Sequence, residues 1–139
     1  MGCRADTVVI DTSAIVAILQ DEPERSRFTE AIEREDARFI SAATLLEVSM
    51  IIEARFGPEG VRDLDLFLAK ARFETIPVDG PQAMVAREAF RAFGKGRHPA
   101  GLNYGDLFAY ALPKSLGERL VWQGDDFGRT DLEPAAGVG

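Results

Sequence analysis

At 139 residues the chain has the length of one domain, and 46% hydrophobic with 28% charged residues is the balance of a soluble globule with a sizeable core. The basic residues, 16 against 23 acidic, leave a net charge of −7, which excludes nucleic-acid binding driven by bulk positive charge. A lone cysteine, Cys3, excludes an internal disulfide and fits a reducing compartment.

Val8-Val9-Ile10, closing on Asp11, predicts a short buried strand, because three β-branched residues in succession favour extended backbone. Ser13 to Leu19 reads as a helix ending near Asp21-Glu22-Pro23. A second helix, from about Pro23 to Glu35, opens on proline and acidic residues, as the helix dipole favours. Arg38-Phe39-Ile40 is a short strand. Ser41 is placed to cap a helix over Ala42 to Arg55, which Gly57-Pro58 stops. From Glu59 to Ala71 an amphipathic helix carries Val61, Leu64, Phe67 and Leu68 on one side. Phe73 to Val78 is strand-like, Pro81 to Phe93 helical, and Gly94 to Gly101 a glycine-rich loop. Tyr104 to Leu116 is helical and Arg119 to Trp122 a strand. The ends, before about Val8 and after Leu132, are expected to be flexible. No apolar run approaches the ~20 residues of a membrane span, and the start lacks the apolar core of a signal peptide. The expected location is the cytoplasm, with no membrane contact.

Short apolar strands alternating with helices predict an α/β domain, a central parallel sheet covered on both faces. Ligands of such sheets sit beyond the carboxyl ends of the strands, where the winding direction reverses. Asp11 and the Asp125-Asp126 pair both follow strands at that edge, and Glu47 lies two turns into the helix leaving a third. Carboxylates gathered there repel: two charges ~4 Å apart cost about 4 kcal/mol at an effective dielectric of about 20. Protons or a cation must then neutralise the cluster, so divalent metal and phosphate chemistry is the leading expectation.

Each acid has a plainer alternative. Asp11-Thr12-Ser13 are all helix-capping types, yet capping does not explain three in a row at a buried strand end. Ser13 is a helper able to bond a carboxylate or a metal-bound water. Glu47 would otherwise face solvent. Asn103-Tyr104-Gly105-Asp106 has the spacing of a capping pair, but the apolar residues after Asp106 make a carboxylate at that helix mouth pointed. Asp125 and Asp126 would otherwise form a turn; which of them faces inward stays open, with Asp126 preferred. His98 is the one histidine, which leaves a His-rich zinc site or a Ser-His-Asp triad little material. Arg87, Arg91, Lys95 and Arg97 are local candidates for phosphate contact, with Lys114 two turns beyond Asp106; the alternative is a solvated helix face and loop.

Four segments in order resemble the PIN-domain ribonucleases, in particular the VapC toxins of type II toxin–antitoxin systems. They are Val-Ile-Asp11-Thr-Ser-Ala, Ser41-Ala-Ala-Thr-Leu-Leu-Glu47-Val, the stretch from Gly96 through Asp106 to Leu112, and Leu-Val-Trp-Gln-Gly-Asp125-Asp126-Phe. The likeness runs from about Val8 to Leu132 and implies a PIN-like three-layer α/β/α fold in a single domain. It also implies Mg²⁺-dependent (or Mn²⁺-dependent) hydrolysis of RNA phosphodiester bonds. Asp11 and Asp106 would hold the metal, Glu47 and Asp126 would complete the acidic pocket, and Ser13 would assist. The implied partners are an RNA substrate, a VapB-like antitoxin whose C-terminal segment covers the groove, and a second copy of the chain docking through Ala42 to Ala71. Three departures stand out: ten residues before Asp11, Pro113 where it should remove a backbone bond and kink the helix, and Gly124 where many relatives carry an acid.

Other classes fit less well. A receiver-like signalling domain wants adjacent acids near its first strand and a late lysine. A haloacid-dehalogenase-type phosphatase wants an acid where Ser13 stands. A PIN scaffold that binds RNA or protein without cutting remains the non-enzymatic alternative.

Overall fold

The computed structural model describes residues 7–21, 23, 25–124 and 127–134. Four strands, β1 (Thr7–Ile10), β2 (Ala37–Ser41), β3 (Phe73–Ile76) and β4 (Arg119–Val121), form one parallel sheet in the order β3-β2-β1-β4. The chain winds outward from β1 through β2 to β3, then returns to place β4 on the other side of β1. The winding therefore reverses between β1 and β4, and a crevice opens at their carboxyl ends.

Five helices cover the sheet: α1 (Thr12–Leu19), α2 (Arg25–Glu33), α3 (Ala42–Lys70), α4 (Gly80–Phe93) and α5 (Tyr104–Leu116). Alternation along β1 divides the core. Val8 and Ile10 join Ile15, Ile18, Phe28, Val48, Ile52 and Leu64 from α1, α2 and α3. Val9 points the other way, among Leu102, Tyr110, Leu112, Leu120, Trp122 and Phe127, with α4 and α5 outside. The expected three-layer arrangement follows from this two-sided burial. Each fully buried Leu, Ile or Phe contributes about 1.5–3 kcal/mol.

Most boundaries fall where local chemistry puts them. Ser41 caps α3, its hydroxyl accepting from Ala43 N–H. The two helices expected on either side of Gly57-Pro58 appear as one hydrogen-bonded run with a sharp break: Gly57 takes φ 69°, ψ −164°, a conformation open to glycine. β3 ends at Ile76 rather than Val78, because Pro77 has no N–H to give the ladder. α2 is shorter than expected, with Pro23 in the preceding turn.

α5 has the expected span, and the expectation for the chain's C-terminal end changes. α5 continues through the buried Pro113 to Leu116 and ends at Gly117, whose φ of 68° closes the helix. Pro113 stands in the last turn, where little helix follows that its ring could displace. Residues 133–134, expected to be loose, lie alongside β4: Leu120 N–H donates to the Glu133 carbonyl, and Leu120 bridges Pro134.

Side chains then tie the layers together. Arg38 on β2 donates to the carbonyls of Ile32 at 2.8 Å and Ala71 at 3.1 Å, completing the ends of α2 and α3. Arg119 on β4 pairs at 3.0 Å with Glu35, a buried carboxylate just past α2. Among the described residues, no helix is long and apolar enough to cross a membrane.

Candidate active site

Asp11 stands at the reversal point. Its backbone N–H donates to the Val121 carbonyl at 3.0 Å, extending the β1–β4 pairing by one residue. Its side chain caps α1, Oδ2 accepting from Ser13 N–H at 3.0 Å and from Ser13 Oγ at 2.5 Å. Ser13 Oγ in turn accepts from Gln123 N–H at 2.8 Å, just beyond β4. Ser13 thus stitches the two loops that border the crevice and holds Asp11 by one oxygen.

Asp11 is 4% exposed. Burial pushes its carboxyl up to about 6, opposed by the two bonds from Ser13 and reinforced by the charges of Asp106 and Glu47. Three elements far apart in sequence therefore bring their acids within electrostatic reach.

Glu47 does not face solvent. Thr12 Oγ1 donates to Glu47 Oε1 at 2.7 Å, and the residue is half-buried. On the opposite side Gly105 lies so close that any β-carbon there would collide with the Glu47 carboxylate. Thr12 and Gly105 form a clamp: one bonds the carboxylate, and the other leaves it room. Neither was singled out from sequence. Thr12 reads as another capping residue, and Gly105 as part of a capping spacing.

Asp106 caps α5 as its spacing from Asn103 predicts. Its backbone N–H donates to Asn103 Oδ1 at 2.9 Å, while its Oδ2 accepts from Asn103 N–H at 3.0 Å, a complete capping box. This fixes the carboxylate at the mouth of α5, on the border of the crevice. Asp125 and Asp126 lie outside the described residues. Gly124, just before them, has φ 102°, a region that disfavours any side chain.

Asp11, Thr12, Ser13, Val16, Glu47, Ile51, Arg55, Asp106 and Gln123 line an open depression of about 400 Å³. Its donors are carboxylate and hydroxyl oxygens, the set that hard cations such as Mg²⁺ or Mn²⁺ prefer. Among the described residues, no three acidic, histidine or cysteine side chains are gathered tightly enough to hold an ion directly. The set fits a cation that keeps part of its water shell, as Mg²⁺ does. Burial, reinforced by the charges of Asp106 and Glu47, is what penalises the ionised Asp11 carboxyl, and such a cation would offset that penalty.

The basic residues named from sequence lie elsewhere. Arg91 pairs with Glu88 at 3.7 Å, Arg97 covers the Phe90 ring at 4.8 Å, and Arg87 donates to Met84 Sδ. Lys95 is exposed in the loop and does not line the depression. Lys114 turns to Asp131 at 2.7 Å, which also accepts from Tyr110 Oη at 2.6 Å. Burial would raise the Asp131 carboxyl, but the bonds from Lys114 and Tyr110 hold it below the usual range. His98 organises its loop, Nδ1 accepting from Ala100 N–H at 3.0 Å beside the Phe93 ring. Arg55, which does line the depression, escaped notice because its segment reads as an ordinary helix end.

Comparison with known proteins agrees with this arrangement. The PIN-domain family model matches residues 8–133. A VapC ribonuclease of Mycobacterium bovis and ribonuclease VapC30 of Mycobacterium tuberculosis are each 50% identical over 129 residues, covering 93% of this chain and 98% of theirs. Among solved structures, VapBC2 from Rickettsia felis, bound to a DNA fragment from its promoter, superposes with a TM-score of 0.75 at 17% identity. That match covers 92% of this chain and 96% of the other. Mycobacterium tuberculosis VapC20, a sarcin-ricin loop cleaving toxin, gives 0.72 at 14% identity, covering 90% and 95%.

Proposed function

The chain belongs to the VapC family of PIN-domain proteins, and from that premise we propose that it is a Mg²⁺-dependent endoribonuclease, the toxin of a VapBC-type pair. The observation that carries the reading is Asp11, buried at the sheet's reversal point with its carboxyl raised by burial and by Asp106 and Glu47. A buried acid beside two others is costly for a binding scaffold and useful for a phosphodiesterase.

Asp11 and Asp106 would hold Mg²⁺ (or Mn²⁺), with Glu47 and Asp126 completing the pocket, partly through waters. When bound, the ion supplies a water of lowered pKa and positive charge for the developing phosphorane oxygens. The protein's own part is orientation. Ser13 takes Asp11 Oδ2, and no residue among those described bonds Oδ1. Thr12 takes Glu47 Oε1, which turns the other oxygen towards Gly105 and leaves Glu47 able to take a proton from the attacking water. No covalent protein intermediate is required.

The partner in this reading is a VapB-like antitoxin, whose segment would lie over the depression and place a cation among the carboxylates. Three of the solved relatives are VapBC assemblies. Leu46 and Met50, each 62% exposed on the outer face of α3 beside Glu47, suit a homodimer contact. The working compartment is the cytoplasm.

Induced expression in a bacterial host tests the toxin. Growth arrest with loss of RNA integrity, both relieved by Asp11→Asn and by a co-expressed cognate antitoxin, is expected. Arrest by Asp11→Asn equal to wild type favours a PIN scaffold that binds without cutting.

A further inference from the structure

Arg55 is the one cation lining the acidic depression among the described residues. It shares a stripe of α3 with Glu47 and Ile51, at spacings of eight and four residues, so it stands ~12 Å along the helix axis from Glu47. An exposed helical arginine ordinarily pairs with an acid three or four residues away. The acid at that spacing is Glu59, but the break at Gly57 falls between them, and Glu59 lines a separate groove between α2 and α3. Among the described residues Arg55 makes no ion pair, with Glu59 or with the carboxylates beside it. An arginine placed to neutralise those acids would touch them.

We propose that Arg55 binds a non-scissile phosphate of single-stranded RNA while the scissile phosphate lies at Asp11, Glu47 and Asp106. The inference rests on the ribonuclease reading above and deepens it by locating a substrate contact. A chain of net charge −7 repels a polyanion, so a productive complex needs cationic contacts at the site itself. The guanidinium fork matches phosphate oxygens and stays charged at any working pH. The Gly57 break releases Arg55 from its helical partner, and the stripe it shares with Glu47 sets its distance from the chemistry.

Steady-state cleavage of a short labelled single-stranded RNA of mixed sequence tests this with wild type, Arg55→Gln and Arg55→Lys over a range of salt. Mn²⁺ binding, followed by electron paramagnetic resonance, is the second readout. For Arg55→Gln, KM should rise about tenfold while kcat stays within about twofold. The slope of log KM against log salt should shrink by about 0.7, one phosphate contact on a single strand. Arg55→Lys should recover the salt slope and part of the KM, and Mn²⁺ affinity should be unchanged in both. Unaltered KM and salt slope in Arg55→Gln would overturn the assignment, as would a fall in kcat with altered Mn²⁺ affinity. Failure of wild type to cut RNA with either metal would remove the ribonuclease reading itself, and this inference with it.

Discussion

Replacing Asp11 with Asn should make the metal-free protein more stable and inactive at once. Burial, with help from Asp106 and Glu47, raises the Asp11 carboxyl from 3.8 to about 6. At about 1.4 kcal/mol per pH unit, keeping it ionised at neutral pH costs the folded state about 3 kcal/mol. Asparagine has the same shape, caps helices equally well, and can still accept from Ser13 N–H and Oγ. Its weaker bonds forfeit about 1 kcal/mol, leaving a net gain of roughly 2 kcal/mol, or roughly 6–10 °C in Tm. The folded protein holds this proton more tightly than the unfolded chain does. Asp11 therefore draws stability down as pH rises from about 4 to about 6, and its full cost is felt above that. Urea titrations in EDTA at several pH values, comparing variant with wild type, isolate this group because other carboxylates cancel in the difference. The advantage of Asp11→Asn should vanish near pH ~4.5, turn to a deficit of about 1 kcal/mol well below pH ~4, and plateau above pH ~6. Mg²⁺ should then favour wild type, by about 2.7 kcal/mol at a hundred times its Kd. A variant less stable than wild type at pH 7.5 in EDTA would refute the reasoning.

The clamp on Glu47 makes a second prediction. Gly105→Ala should leave the fold intact, and even add up to ~1 kcal/mol from helix propensity, because the flexible Glu47 side chain can give way. Activity should fall roughly 10–100-fold as Glu47 leaves Thr12; thermal melts with cleavage rates measure both, and unchanged rates would count against the clamp. Thr44 Oγ1 is buried with no hydrogen-bond partner among the described residues. Thr44→Val should therefore stabilise by about 1 kcal/mol in denaturant titration, and a loss of that size would mean the hydroxyl has a partner. Asp131→Ala should destabilise by about 1–2 kcal/mol, since it strips the buried Tyr110 hydroxyl of its acceptor. Because the Asp131 carboxyl is held low, this contribution is present above the ordinary carboxylate range and lost as pH falls through its lowered value.

The sheet was legible because the strands are short runs rich in β-branched or aromatic residues, closed by Asp11, Ser41 or Pro77 in the first three, and most helix ends carry Ser, Asn, Gly or Pro signals. The places of Asp11, Glu47 and Asp106 were legible because each acid ends, interrupts or opens an apolar run, and that of Ser13 because it follows Asp11 and Thr12 at a buried strand end. Thr12, Gly105 and Arg55 were not. Their significance depends on which side chain lies across a gap of 35 or 58 residues, or on one glycine breaking a helix between two charges. Lys114, left open between phosphate contact and a solvated face, is a related case: helical spacing placed it two turns beyond Asp106 in sequence, while Asp131, folded back over α5, claims its charge.

Cleavage of total cellular RNA by the purified, antitoxin-free protein tests the central claim most directly. The comparison is Mg²⁺, Mn²⁺ and EDTA, with Asp11→Asn and Asp106→Asn purified in parallel. Cutting that requires the metal and disappears in both variants is the predicted result. Cutting that persists equally in EDTA or in the two variants, or no cutting by wild type with either metal, would contradict the account.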